Sequence, residues 1–201
     1  MSDVKMTSNQ DRQNKPITRR NFVNGFFGAL AGGAFMSAAP GAMAASFSRS
    51  ILDTGKRHIS LRHIHTGETF SGVYRIGDQY IYEAFEKINT LMRDFRTGDT
   101  YPVDPNLVDF LWRVNKKTGS KHPFQVLSGY RSPQTNLKLT RTTPGVAVNS
   151  YHMSGQAVDI RLPYYDTRGL RNAAVSLRSG GVGYYPNSDF VHIDTGDFRT
   201  W

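Results

Sequence analysis

The 201-residue chain contains no cysteine. It therefore has no disulfide, and no thiolate with which to close a structural zinc site. It also lacks an apolar run of the roughly 20 residues that a membrane-spanning helix needs. Acidic residues are scarce beside basic ones, 16 against 25, which leaves a formal net charge of +9. That excess points to an anionic partner. It does not point to nucleic acid, because the basic helix and the aromatic-basic interleaving of single-strand binders are missing. An anionic cell-wall polymer with free carboxylates suits the charge equally well, as does a merely soluble surface.

What is present begins with a leader. Thr18-Arg19-Arg20-Asn21-Phe22-Val23 reads as a twin-arginine export signal. A Gly/Ala-rich apolar run follows to Ala39, and Ala42-Met43-Ala44 offers an A-x-A cleavage site. Residues 1–44 are expected to be removed, residues 45–57 to form a flexible lead-in, and residues 58–201 to form one domain with one core. The alternative is a leader retained as a short anchor. After cleavage the protein is expected in the periplasm, with no stable membrane insertion. Removing the five basic and two acidic leader residues lowers the charge from +9 to about +6.

Lys56 to His65 alternates as a strand, Thr66-Gly67-Glu68 turns it, and Thr69 to Ile76 returns. Tyr80 to Arg96 carries one apolar stripe of Ile81, Phe85, Ile88, Leu91, Met92 and Phe95, which predicts a helix. Asp104-Pro105 opens a second helix and Gly119 closes it. Phe124 to Leu127 reads as a buried strand, Pro133 to Leu139 as a short helix, and Thr140 to Asn149 as a loop. Gly155 to Leu162 and Gly180 to Tyr185 read as strands, with a helix from Asp166 to Arg178 between them. Phe190 to Asp194 is the last strand. Early helices and late short strands predict an α+β fold, a small antiparallel sheet with flanking helices.

The chemistry concentrates in two stretches: Ser150-Tyr151-His152-Met153-Ser154-Gly155-Gln156-Ala157-Val158-Asp159, and Val191-His192-Ile193-Asp194. His152, Asp159 and His192 form a three-ligand set, and zinc is the metal such a set suggests. Three protein ligands leave a fourth position for water, the pattern of a catalytic site. Spacing alone says only that the three could meet, since a lone buried His or Asp is more often a satisfied core group. His58, His63 and His65 are a second cluster, but no third ligand of suitable context accompanies them, so they read as surface or hairpin packing.

The S-x-H-x-x-G-x-A-x-D stretch followed by a late His resembles the zinc peptidases of family M15, which share a metal site with hedgehog-type domains. His65-Thr66-Gly67-Glu68, Ser128-Gly129-Tyr130-Arg131-Ser132 and Gly180-Gly181-Val182-Gly183-Tyr184-Tyr185-Pro186 look like its YcbK-like (MepK) murein endopeptidase branch. The resemblance runs from about residue 58 to the end. It implies a hedgehog/DD-peptidase fold, one Zn2+ per chain on His152, Asp159 and His192, and hydrolysis of peptidoglycan cross-links that contain meso-diaminopimelate. It also implies that Arg131 binds substrate or the oxyanion. A monomer is expected.

Two carboxylates are candidates for the general base. Asp194 shares a strand face with His192. Asp189 lies three residues before His192, where some M15 enzymes place a Glu. Strand alternation favours Asp194, yet Asp194 could instead orient a ligand imidazole and Asp189 could be a turn residue. The base is left open between them. The rival functions are a D,D- or L,D-carboxypeptidase on the same scaffold and a zinc-containing module that binds the wall without cutting it.

Overall fold

The computed structural model describes residues 55–201. The expected leader, its cleavage site and residues 45–54 of the lead-in lie outside the described residues. Eight strands form one sheet: β1 (Lys56–His63), β2 (Thr69–Ile76), β3 (Gln79–Tyr80), β4 (Phe124–Ser128), β5 (Ala157–Arg161), β6 (Gly181–Tyr185), β7 (Phe190–Asp194) and β8 (Arg199–Thr200). Their order across the sheet is β3-β2-β1-β4-β5-β7-β6-β8. Among the described residues four α-helices accompany them: α1 (Tyr82–Leu91), α2 (Pro105–Thr118), α3 (Pro133–Thr142) and α4 (Thr167–Ser176).

The α+β expectation holds, and the strands and helices fall close to where periodicity placed them. The sheet, however, is mixed. β1 pairs with β4 in parallel, and β6 pairs with β8 in parallel, while the other ladders are antiparallel. The β1-to-β4 connection contains α1 and α2, which gives it the length a parallel crossover needs. β8 is a two-residue strand that no periodicity could announce.

α2 shows why these segments are helical. The Asp104 side chain accepts from the Asn106 amide, Pro105 takes the first turn, and Gly119 ends the helix at φ 66°. Leu107, Val108, Phe110, Leu111 and Val114 are buried on it, each contributing about 1.5–3 kcal/mol by leaving water. α1 is shorter than its apolar stripe suggests. Beyond Leu91 the Met92 carbonyl accepts the Tyr130 amide at 2.7 Å, a bond from a distant loop.

The two faces of the sheet divide the labour. Val126, Val158, Ile160, Val182, Val191 and Ile193 point into the core, where α2 packs on β1 and α4 on β6 and β7. The alternate residues face the other way. β5 and β7 pair antiparallel with Asp159 opposite His192 and Ala157 opposite Asp194. Asp159, His192 and Asp194 therefore sit on one face at the middle of the sheet.

Candidate metal centre

His152 reaches this face from a 3-10 turn, Tyr151–Ser154. The Ser150 side chain accepts the His152 amide and opens the turn, and Gly155 closes it at φ 66°. A Cβ on Gly155 would fall 2.2 Å from the Pro102 carbonyl oxygen, so the H-x-x-G spacing is a packing requirement as well as a turn. Two residues later β5 begins, and Asp159 lies across from His192. Local chain reversal and strand register together thus bring the three residues to one point.

The donor atoms form a compact triangle. His152 Nε2 lies 3.2 Å from His192 Nδ1. His192 Nδ1 lies 2.9 Å from Asp159 Oδ1, and Asp159 Oδ1 lies 3.4 Å from His152 Nε2. Ligand atoms at ~2.0–2.1 Å from a shared tetrahedral centre are separated by about 3.3 Å, so this triangle has the dimensions of one face of a zinc tetrahedron. Among the described residues, this is the group of His, Cys, Asp and Glu side chains that could hold a metal ion.

Each imidazole is held from behind. His152 Nδ1 donates to the Gly129 carbonyl at 2.7 Å, and a carbonyl can only accept, so Nε2 of the neutral ring turns a lone pair to the triangle. His192 Nε2 lies 3.0 Å from Asp194 Oδ2, so its Nδ1 faces the triangle. Asp194 is fully buried and also accepts from the Gly181 and Gly196 amides and from Arg199.

The electrostatics follow from this crowding. Burial pushes the pKa of His152 down, outweighing its attraction to Asp159. Burial acts the same way on His192, but hydrogen bonds to Asp159 and Asp194 overcome it and raise the pKa to about 9. Burial opposes ionisation of Asp159, yet His152 and His192 hold its carboxyl far below the usual carboxylate range. This set of acceptors attracts positive charge strongly, whether a proton or a metal cation carries it.

The motif Ser128-Gly129-Tyr130-Arg131-Ser132 is the brace behind the centre. A Cβ on Gly129 would fall 2.4 Å from the Met92 oxygen, which leaves glycine the residue that fits. The Arg131 amide donates to the His152 carbonyl at 3.1 Å. The Arg131 side chain is buried, with NH2 3.7 Å from Asp159 Oδ2 and NH1 3.3 Å from Asn136 Oδ1. Ser132 caps α3 and donates from its amide (3.0 Å) and hydroxyl (2.8 Å) to Asp94.

The two base candidates are placed differently. Asp194 touches the centre through His192. Asp189 follows the 3-10 turn Pro186–Ser188 at φ 51° and bonds Thr167 and Arg161, with its side chain 60% exposed. Tyr184 and Tyr185 are half-buried. Tyr185 stacks on Phe190 at 4.5 Å and accepts the Trp201 indole N–H at 2.8 Å.

Sequence reasoning missed Asp94, Asn136, Arg199 and Trp201. Asn136 is buried and carries Arg131 on its oxygen and the Ala147 and Val148 carbonyls on its nitrogen. Arg199 and Trp201 had left a signal in Gly181 and Gly183. Two glycines at alternate strand positions mark a place that side chains from a neighbour occupy. A Cβ on Gly181 would lie 2.5 Å from Arg199 NH1, and one on Gly183 would lie 2.6 Å from the Trp201 ring.

Comparison with known proteins adds a family. A sequence model described as peptidoglycan L,D-endopeptidase MepK matches residues 52–201. The peptidoglycan L,D-endopeptidase MepK of Escherichia coli strain K12 is 44% identical over 145 residues, which cover 72% of this chain and 80% of that protein. The Shigella flexneri protein of the same description matches to the same extent. A probable peptidoglycan L,D-endopeptidase MepK of Haemophilus influenzae is 40% identical over 146 residues, 72% of this chain and 78% of its own length.

Proposed function

The chain belongs to the peptidase family described as peptidoglycan L,D-endopeptidase MepK, and from that premise we propose that it is an exported zinc endopeptidase that hydrolyses L,D cross-links of peptidoglycan. It is an enzyme of peptidase type. The observation that carries the proposal is the triangle of His152 Nε2, Asp159 Oδ1 and His192 Nδ1 with a buried guanidinium beside it. The donor set is two imidazoles and one carboxylate, it has the spacing zinc requires, and it leaves the fourth position to water. The site of action is the periplasm, which the twin-arginine leader would reach. Among the described residues no helix is long and apolar enough to cross a membrane.

His152, Asp159 and His192 would hold zinc, which would supply Lewis acidity to acidify the attacking water toward a pKa of ~7 and to polarise the scissile carbonyl. The chain's own groups do the rest. Gly129 fixes the His152 tautomer and Asp194 fixes that of His192. Arg131 offers a charged fork to a substrate carboxylate or to the carbonyl oxygen as it gains negative charge. In hydrolysis the water oxygen bonds to the carbonyl carbon, the C–N bond breaks, and the amine leaves with a proton. Of the two carboxylates considered for that proton, Asp194 is already committed to five donors and its contacts favour holding His192. Asp189 bonds Arg161 and Thr167.

Digestion of purified cross-linked murein by the full chain tests the proposal, with muropeptides read by chromatography. Loss of cross-linked dimers, blocked by a chelator and absent in His152→Ala, is the expected result. Trimmed monomers with intact dimers would point to a carboxypeptidase. Binding to the wall without products would point to a non-catalytic module.

A further inference from the structure

β8 runs beside β6, with Arg199 in register with Gly181. This carries the Arg199 side chain to the face that holds His192, through the space that Gly181 leaves open. There the guanidinium meets Asp194 with two parallel contacts, NH1 to Oδ1 at 3.0 Å and NH2 to Oδ2 at 2.7 Å. The same Oδ2 lies 3.0 Å from His192 Nε2. Arg199 is itself fixed. It lies over the Tyr151 ring at 5.2 Å and the Trp201 ring at 4.9 Å, and NH1 donates to the Asp197 carbonyl at 3.1 Å.

We propose that Arg199 is a positioning residue of the candidate metal centre, acting through Asp194 to set the rotation of the His192 ring and so the direction of Nδ1. The proposal rests on the reading that His152, Asp159 and His192 hold the metal. A bidentate fork fixes the plane of a carboxylate, which a point charge does not. With the plane of Asp194 fixed, Oδ2 has one direction in which to accept from Nε2. The opposite edge of the ring is then aimed at Asp159 Oδ1 and His152 Nε2. Arg199 also touches Tyr151, the residue before His152. One side chain from the last strand therefore braces both imidazole-bearing segments.

The test is zinc affinity, measured on the full chain by competition with a chromophoric chelator, together with melting of the metal-free protein. Arg199→Ala is expected to weaken zinc by about 10–100-fold, the usual effect of removing an outer partner of a metal ligand. Arg199→Lys should recover part of that loss, since it keeps the charge and loses the fork. Metal-free melting should move by no more than a few degrees, because Asp194 keeps the Gly181 and Gly196 amides and His192 as donors. In an Asp194→Asn background, Arg199→Ala should add little, as expected of two residues in one chain of contacts. Wild-type zinc affinity in Arg199→Ala overturns the proposal, and so does a full additive effect in the Asp194→Asn background. Equal weakening by Ala and Lys that tracks a fall in metal-free melting also overturns it, since Arg199 would then be a general stabiliser. A wild-type protein that binds no zinc overturns the metal reading itself and this proposal with it.

Discussion

Two buried carboxylates in this molecule have opposite purposes. Asp109, on α2, accepts from Arg57 at 2.9 Å, Tyr74 at 2.7 Å and Tyr80 at 2.9 Å, and from Arg75. Two guanidinium groups and two hydroxyls close around it, and they staple β1, β2 and β3 to α2. Asp159 has no hydroxyl and no amide donor among the described residues. It faces two imidazole nitrogens at 2.9 and 3.4 Å, with Arg131 standing off at 3.7 Å. Around Asp109 hydrogens fill the gaps between heavy atoms. Around Asp159 the Gly129 carbonyl and the Asp194 carboxylate take the outer ring protons, so acceptors converge on one point. What lies behind each partner, rather than burial or charge, separates a staple from a candidate metal site.

Removing each carboxylate in turn should have opposite effects. Asp159→Ala should abolish zinc binding and murein hydrolysis while leaving the metal-free fold in place. Asp109→Ala should do the reverse, lowering stability by about 1–3 kcal/mol because two partly exposed guanidinium groups and two tyrosine hydroxyls lose their acceptor. Zinc competition and denaturant unfolding on both variants would read this out. Two similar phenotypes would contradict the distinction.

A buried imidazole outside the centre sharpens it. His63 is fully buried, and its Nδ1 accepts the amides of His65 and Thr66 at 3.2 and 3.4 Å. Burial, and then the nearby His65, lower its pKa to about 4. The unfolded chain therefore binds this proton first. The stability that the neutral ring contributes is complete above pH ~6.5 and is lost as pH falls toward 4, by up to about 3 kcal/mol. Denaturant unfolding at pH 7 and pH 4 should show that slope, and His63→Gln should flatten it. An unchanged slope in the variant would place the acid sensitivity elsewhere.

Asp194→Asn should weaken zinc by about 10–100-fold, because an amide can offer its NH2 where His192 needs an acceptor. Asp189→Asn should be the mildest change, leaving zinc affinity and murein hydrolysis near the wild-type level. A silent Asp194→Asn beside an inactive Asp189→Asn would reverse the roles the contacts favour.

Much of this was legible because it is local. Asp104-Pro105 and Gly119 bracket α2 by their own backbone chemistry. His152, Gly155 and Asp159 form one turn and one strand, and alternation puts His192 and Asp194 on a shared face. The rest depends on distant segments. Just past the end of α1 the Met92 carbonyl accepts the Tyr130 amide, and the Arg131 loop is held where Ser132 bonds Asp94. The Met92 bond leaves a mark in Gly129 alone, and the Asp94 bond leaves none in nearby sequence. β8 is too short for any period to show, and its presence is recorded only in the glycines at 181 and 183. The same holds for Asp194. Alternation placed it beside His192 but could not reveal the donors around it.

Three acceptor atoms, each aimed from behind, are proposed to hold one zinc ion. Anomalous X-ray scattering at the zinc edge, on crystals of the metal-loaded full chain, tests this most directly. The expected result is a single peak within bonding distance of His152 Nε2, Asp159 Oδ1 and His192 Nδ1. A peak bonded to His192 Nε2, or one that lies away from this triangle, would contradict the account.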